Sequence, residues 1–405
     1  MPGGHGREDL RRGAAEVAPV VRPPHPWLPL TVGAATALLV VLRVATRPEL
    51  FDRVWAEDGA VFLHDAQQAG AVSIGMEYAG YGHLVPRLLA LGASALPMAT
   101  VPVYVVVAVA LTLGLLAWFA AAAAGSLTGS RLAMVVAGTS FALAPALHDE
   151  VIGNLANLQW FLLAAASWAL STSASRLRWG AALVAGLAAA TTPLVALLLP
   201  AALLLHGQRL LRLPAAWGAA VGLAWQLAVM TLGSSSRREP PARLGEIRSP
   251  WSSLLDHVDG SPGDSLLAVT LLTSLLITVG VALVRHRDSR RLQLSLLLSV
   301  AVLGVFMTVY SGRLHGRYVA ALLLLALVAV SCALPRLSRP LTALLSIPLL
   351  CAVVLAFPPS DYRAEGPSWR LELESVAVSC RAGDPPPPIQ LSPAGWGSMP
   401  ARCEP

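Results

Sequence analysis

The chain has 405 residues, of which 55% are hydrophobic and 13% charged, well below the roughly 25% charged residues of an ordinary soluble domain. Its formal charge of +6 comes from 29 basic residues against 23 acidic ones, and every basic residue is arginine. The absence of lysine reads as codon bias. With the arginines scattered between apolar stretches, the composition excludes both a soluble enzyme and a nucleic-acid-binding footprint.

Residues 1–26 are polar and carry Arg7, Arg11, Arg12 and Arg22. They read as a cytoplasmic, disordered N-terminus ahead of a retained first span, which the absence of a small-residue cleavage site after the apolar stretch favours over a signal peptide. Apolar stretches then recur at about 27–45, 101–124, 131–147, 158–172, 179–190, 193–206, 214–232, 266–284, 292–309, 318–334 and 341–357. A straight crossing needs roughly 20 residues. The pattern therefore predicts an all-α, polytopic transmembrane helical bundle over 27–357, with about 10–11 spans and a helical first extracytoplasmic loop. Residues 84–97 are apolar but short and are expected to lie in or dip into the membrane interface; a rival layout makes them a full crossing and 179–206 a single one. Thr191-Thr192-Pro193 interrupts 179–206, giving either two half-spans or one kinked helix.

With the N-terminus in the cytoplasm, Arg131, Arg176, Arg178, Arg209, Arg212, Arg285, Arg287, Arg290, Arg291, Arg336 and Arg339 fall inside, as the positive-inside rule favours. The loop within 51–97, the segment 148–157, the long loop 233–265, the segment 310–317 and the tail 358–405 then fall outside. The tail, with four prolines at 385–388, reads as an extended, partly ordered appendage too small for its own core. Cys380 and Cys403 lie in it and are expected to form a disulfide in an oxidising compartment.

Three polar stretches share the outer side. The first, WAEDG at 55–59, pairs Glu57 with Asp58, and adjacent carboxylates suit general-base work. Asp58 also fits an N-cap for a helix from Gly59 to Ala69 ended by Gly70, with Phe62, Ala66 and Ala69 resting on the membrane. Further on, Tyr78, Tyr81, His83 and Arg87 form an aromatic and basic cluster. The second stretch, 148–160, holds Asp149, Glu150, Asn154 and Asn157; its structural reading is capping by Asp149 and interfacial anchoring by Trp160. The third, 310–318, holds Arg313, His315 and Arg317, whose guanidinium forks suit a phosphate or the acids of the second stretch.

Together, WAEDG with GYGHLVPR, HDEVIGNLANLQW and GRLHGRY resemble a bacterial, actinobacterial-like branch of the GT-C membrane glycosyltransferases. The likeness covers residues 27–357 in layout and a few dozen residues in motif. It implies a plasma-membrane hexosyl or pentosyl transferase. The sugar would come from a polyprenyl-phosphate donor and go to an extracytoplasmic acceptor. Asp58 or Glu57 would serve as base and Asp149 or Glu150 as second acid. Tyr78, Tyr81, His83, Arg87, Asn154, Asn157, Arg313, His315 and Arg317 would bind substrate. No metal-ligand spacing stands out, although the resemblance leaves room for a divalent metal. The expected partners are the lipid-linked sugar and membrane lipids. The competing readings are a transporter or flippase of a lipid-linked or anionic solute, hinged at 179–206, and a non-catalytic partner subunit.

Overall fold

A computed structural model describes residues 26–147, 150–233, 262–285, 289–311 and 316–403. The expected N-terminus up to residue 25 and most of the 233–265 loop lie outside the described residues. The chain is an all-α helical bundle. Among the described residues, six helices are long and apolar enough to cross a membrane: Leu28–Ala45, Met98–Thr128, Pro193–Arg212, Pro214–Leu232, Arg290–Tyr310 and Arg317–Arg336. Shorter apolar helices fill the places between them.

The helices in chain order are α1 (Leu28–Ala45), α2 (His64–Ala69), α3 (Leu84–Ser94), α4 (Val101–Thr128), α5 (Arg131–Leu143), α6 (Leu158–Ser171), α7 (Arg178–Thr191), α8 (Leu199–His206) and α9 (Pro214–Leu232). They continue as α10 (Pro262–Arg285), α11 (Arg290–Ser311), α12 (Gly316–Ala333), α13 (Arg339–Leu355), α14 (Asp361–Ala364) and α15 (Trp369–Ala382). Two small hairpins, β1–β2 (Glu77–Tyr78, Tyr81–Gly82) and β3–β4 (Ile389–Gln390, Ser398–Met399), complete the described chain.

Close contacts fix the direction of each helix. Gly33 of α1 lies against Gly114 of α4, and Val32 against Gly138 of α5. The Arg43 guanidinium, fully buried, donates to the carbonyls of Ala142 and Ala356 at 2.7 and 2.5 Å. It thus ties the end of α1 to the ends of α5 and α13. Gly218 of α9 lies against Ala182 of α7, and Gly222 against Gly186. Both numbers rise together, so α7 and α9 are parallel and the chain reverses twice between them. The stretch 179–206 is therefore neither one kinked helix nor a pair of coaxial half-spans. Thr192, extended, ends α7 and caps the next helix through its hydroxyl; Pro193 then starts Pro193–Arg212 in the opposite direction.

Helix α6 has 14 residues, and all of them are buried. A helix jacketed by protein need not match the thickness of a bilayer, which removes the length objection to this segment. Helix α3 spans 11 residues and does not cross.

The alternation of directions yields two poles. One gathers the loop 51–97, the segment 150–157, the start of α12 and the tail; the other carries Arg131, Arg176, Arg178, Arg209, Arg212, Arg290, Arg291, Arg336 and Arg339.

The tail departs from the expected extended appendage. Helix α15 and the β3–β4 hairpin fold onto the first loop. Ser392 N–H donates to Val54 O at 2.9 Å and Ala56 N–H donates to Ser392 O at 2.8 Å. Leu391 fills the space in front of Gly59, where a Cβ would meet its side chain at 2.5 Å. Trp369, Ile389, Leu391 and Met399 join the main hydrophobic core. The tail has no core of its own because it completes the loop's. Cys380 and Cys403 are bridged as expected.

Candidate functional site

The loop after α1 is helical over the expected 59–69 and ends at Gly70, but Asp58 does not cap it, because Ala56 and Glu57 are already helical. Asp58–Leu63 make a π-helical turn within this run, which continues as α-helix over His64–Ala69. The Asp58 carboxylate turns away from its own helix. It is 2% exposed, and its two oxygens accept the backbone N–H groups of Leu155 and Ala156 at 2.8 and 2.9 Å. Asp58 is thus the anchor of a loop almost a hundred residues away, and hydrogen bonds of this kind to a charged acceptor contribute about 1.5–3 kcal/mol each. The apolar face of Phe62 and Ala66 does not rest on a membrane either. Both are buried, and Phe62 packs against Tyr78 and His83 at 5.8 and 5.4 Å.

The anchored segment is stiffened from within. Asn154 and Asn157 side-chain amides both donate to Glu150 O, and Asn157 N–H donates to Asn154 Oδ1 at 3.0 Å. Asn157 Oδ1 accepts from Trp160 Nε1 at 2.9 Å. The two asparagines expected to bind substrate are therefore engaged in building the loop, and they are 1% and 2% exposed.

Three of the residues assigned to substrate binding in the first loop are likewise structural. Arg87 is buried, pairs with Asp65 at 3.0 Å, donates to Glu77 O and lies over the Phe62 ring. Tyr78 packs edge-on to Phe62. His83 stacks on Tyr81 at 4.3 Å. Burial, with the Arg87 charge beside it, lowers the His83 pKa to about 3, so the ring stays neutral. Hairpin β1–β2 is in turn held by Gln226 of α9, whose amide accepts from Gly82 N–H and donates to Gly82 O, each at 2.9 Å. No motif marked Gln226; its signal was a lone amide within an apolar span.

What remains is a cluster drawn from three distant stretches. Arg317, at the start of α12, lies 3.7 Å from Glu57 Oε1 and 3.9 Å from Glu150 Oε1. These are ion-pair separations, longer than hydrogen bonds. The glutamate side chains are each 13% exposed, and that of Arg317 is 35% exposed. Among the described residues, Glu57 Oε2 is buried without a hydrogen-bond partner. Tyr81 borders the cluster. Its hydroxyl donates to Gln159 Oε1 at 2.8 Å, and burial pushes its pKa up against the pull of that bond and of the Arg317 charge. Tyr318, under the Arg317 guanidinium at 5.6 Å, meets Trp160 edge-on at 5.5 Å. Gln159 and Tyr318 stood inside the quoted motifs without being singled out.

Glu57, Glu150, Tyr81 and Arg317 are thus brought together. Asp149, Arg313 and His315 lie outside the described residues. Among the described residues, no three His, Cys, Asp or Glu side chains gather closely enough to hold a metal ion.

The tail reaches the same loop. Asp52 accepts from Ser368 Oγ at 2.5 Å and from Arg370 N–H at 3.0 Å, so it holds the first turn of α15. Trp55 meets Trp396 and Tyr362 at 6.1 and 6.3 Å. Compared with known proteins, the chain matches no family model, no curated protein and no solved structure.

Proposed function

We propose that the protein is a membrane glycosyltransferase that moves a sugar from a polyprenyl-phosphate donor to an acceptor hydroxyl at the loop pole. Glu57, rather than Asp58, is the base. The observation that carries this reading is the contrast between the neighbours: both Asp58 oxygens are occupied by backbone N–H groups, whereas Glu57 holds one oxygen toward Arg317 and, among the described residues, leaves the other without a hydrogen bond. A base must have a lone pair within reach of the proton it takes.

In this mechanism Glu57 takes the acceptor's proton as the oxygen attacks the anomeric carbon. The bond to the donor phosphate breaks on the opposite face, which inverts the configuration. Arg317 stabilises the departing phosphate charge. Before the donor arrives, Glu57 and Glu150 hold Arg317 in place; the phosphate then replaces weak ion pairs with bidentate hydrogen bonds. Tyr81 and Tyr318 offer ring faces for the sugar.

The test is transfer by purified protein from a panel of polyprenyl-phosphate sugars. Glu57→Gln keeps the shape and removes the base. It is expected to lower turnover by roughly 10²–10⁴, with donor binding retained. Arg317→Ala is expected to weaken donor binding. Full transfer by Glu57→Gln would end this assignment. Donor-lipid binding and movement across vesicles without transfer would instead favour the flippase reading.

A further inference from the structure

A second feature lies between α7 and α9, with Leu84 of α3 also lining it. Gly218 and Gly222 let α9 lie directly on Ala182 and Gly186 of α7. Small residues spaced four apart permit such close approach of membrane helices. The large side chains on either side then stand up as walls, Trp179, Leu183 and Leu187 from α7 and Trp217, Val221 and Trp225 from α9. Between them runs an apolar groove of about 680 Å3. It faces outward: Trp179 and Val221 are each 70% exposed. Arg212 lines one end.

We propose that this groove binds an anionic phospholipid from the leaflet on the arginine-rich side, with one acyl chain in the groove and the phosphate at Arg212. Three observations commit the site to this occupant. Charge comes first: Arg212 sits at the mouth, Arg178 stacks over Trp179 at 5.4 Å, and Arg176 and Arg209 lie in the same two connections. Basic residues at the mouth of a groove between membrane helices select anionic head groups. Depth comes second. From Trp179 to Ala190, both lining residues, the wall rises about 16 Å at 1.5 Å per residue. That is about half the hydrocarbon core of roughly 30 Å, the reach of an acyl chain from one leaflet and far less than a polyprenyl chain. Third, the indoles of Trp179 and Trp217 occupy the first turns of their helices, where tryptophan marks the interface. The site shares none of its lining residues with the Glu57–Arg317 cluster, so it stands whether or not the protein transfers sugars.

The test is native mass spectrometry of the full chain in mild detergent, titrated with palmitoyl-oleoyl phosphatidylglycerol or with the phosphatidylcholine of the same chains. The wild type is expected to bind the phosphatidylglycerol at least fivefold more tightly. Arg212→Gln is expected to abolish that preference, a loss of about fivefold for one arginine near the membrane surface. Arg212→Lys is expected to keep it. Val221→Trp fills the groove from an exposed position and is expected to weaken both lipids; Leu183→Trp does the same from the opposite wall if the first variant is not monodisperse. Equal binding of the two lipids by the wild type would overturn the proposal. So would unchanged binding in a folded Trp variant, or displacement of the phospholipid by a polyprenyl phosphate.

Discussion

The two poles of the bundle differ in the charge they bury: the loop pole exposes Arg370, Glu374, Arg381 and Asp384 in the tail, but among the described residues it also holds the fully buried charges. At the arginine-rich pole, Arg131, Arg176, Arg178, Arg209, Arg212, Arg290, Arg291 and Arg339 are exposed. At the loop pole, Asp58, Arg43 and Arg87 are buried. Each is held by partners from another part of the chain: Asp58 by Leu155 and Ala156, Arg43 by Ala142 and Ala356, Arg87 by Asp65. A solvated charge needs no partner and contributes little to stability. A buried one is tolerated only when paired or hydrogen-bonded. The exposed arginines of the first pole therefore contribute little to the fold, and the buried charges of the second record tertiary structure. Glu57 differs from its neighbour Asp58 in that, among the described residues, one of its oxygens is buried without a hydrogen-bond partner.

The contrast is broken most directly at Asp58. Asp58→Ala leaves two buried N–H groups without their acceptor and is expected to destabilise the protein by roughly 3–5 kcal/mol, read from unfolding of the detergent-solubilised chain. Glu57→Gln is expected to be nearly neutral in the same measurement. Equal losses in the two variants would erase the distinction between anchor and base.

The disulfide comes next. Cys380 and Cys403 close a stretch with a sequence separation of 23, for which chain-entropy reasoning gives about 3 kcal/mol. Cys380→Ser with Cys403→Ser is expected to loosen the tail and, through the pairing of Ser392 with Val54 and Ala56, the segment just before Glu57. Faster amide exchange at Val54–Ala56 checks this; unchanged exchange there would show that the tail is only a passenger.

His83 gives a pH-dependent effect that is small near neutral pH and grows in acid. Its folded pKa is lowered to about 3 by burial and the Arg87 charge, below its unfolded value of about 6.5. Between those values the unfolded chain binds the extra proton, so stability is fully present above about pH 6.5 and falls as the pH drops toward 3. The slope reaches up to about 1.4 kcal/mol per pH unit. His83→Phe is expected to remove this component; an unchanged slope would assign it to the carboxylates. Smallest of all, Arg131→Gln at the opposite pole is expected to change stability by less than about 0.5 kcal/mol. A large loss there would show that the exposed arginines are structural too.

The amino-acid sequence by itself determined the class of the protein, the approximate segments and the alternation that separates arginines from acids. Apolar runs and charge bias act locally, residue by residue, against the membrane as solvent. It also exposed the Cys380–Cys403 pair and the stretches that meet at the candidate site. Only the tertiary structure decided what each polar residue does. Asp58 reads as a helix cap because capping is a local rule, yet its acceptors are engaged by a loop near residue 155. Arg87, His83, Asn154 and Asn157 read as binding groups because polar residues beside a membrane stand out, yet each is consumed in packing or loop building. The tail looked too small to fold because its apolar residues were counted alone, whereas Leu391 and Met399 complete a core begun by the first loop. Partners distant in sequence leave no periodic trace, and which of two adjacent carboxylates keeps a lone pair is settled only when those partners arrive.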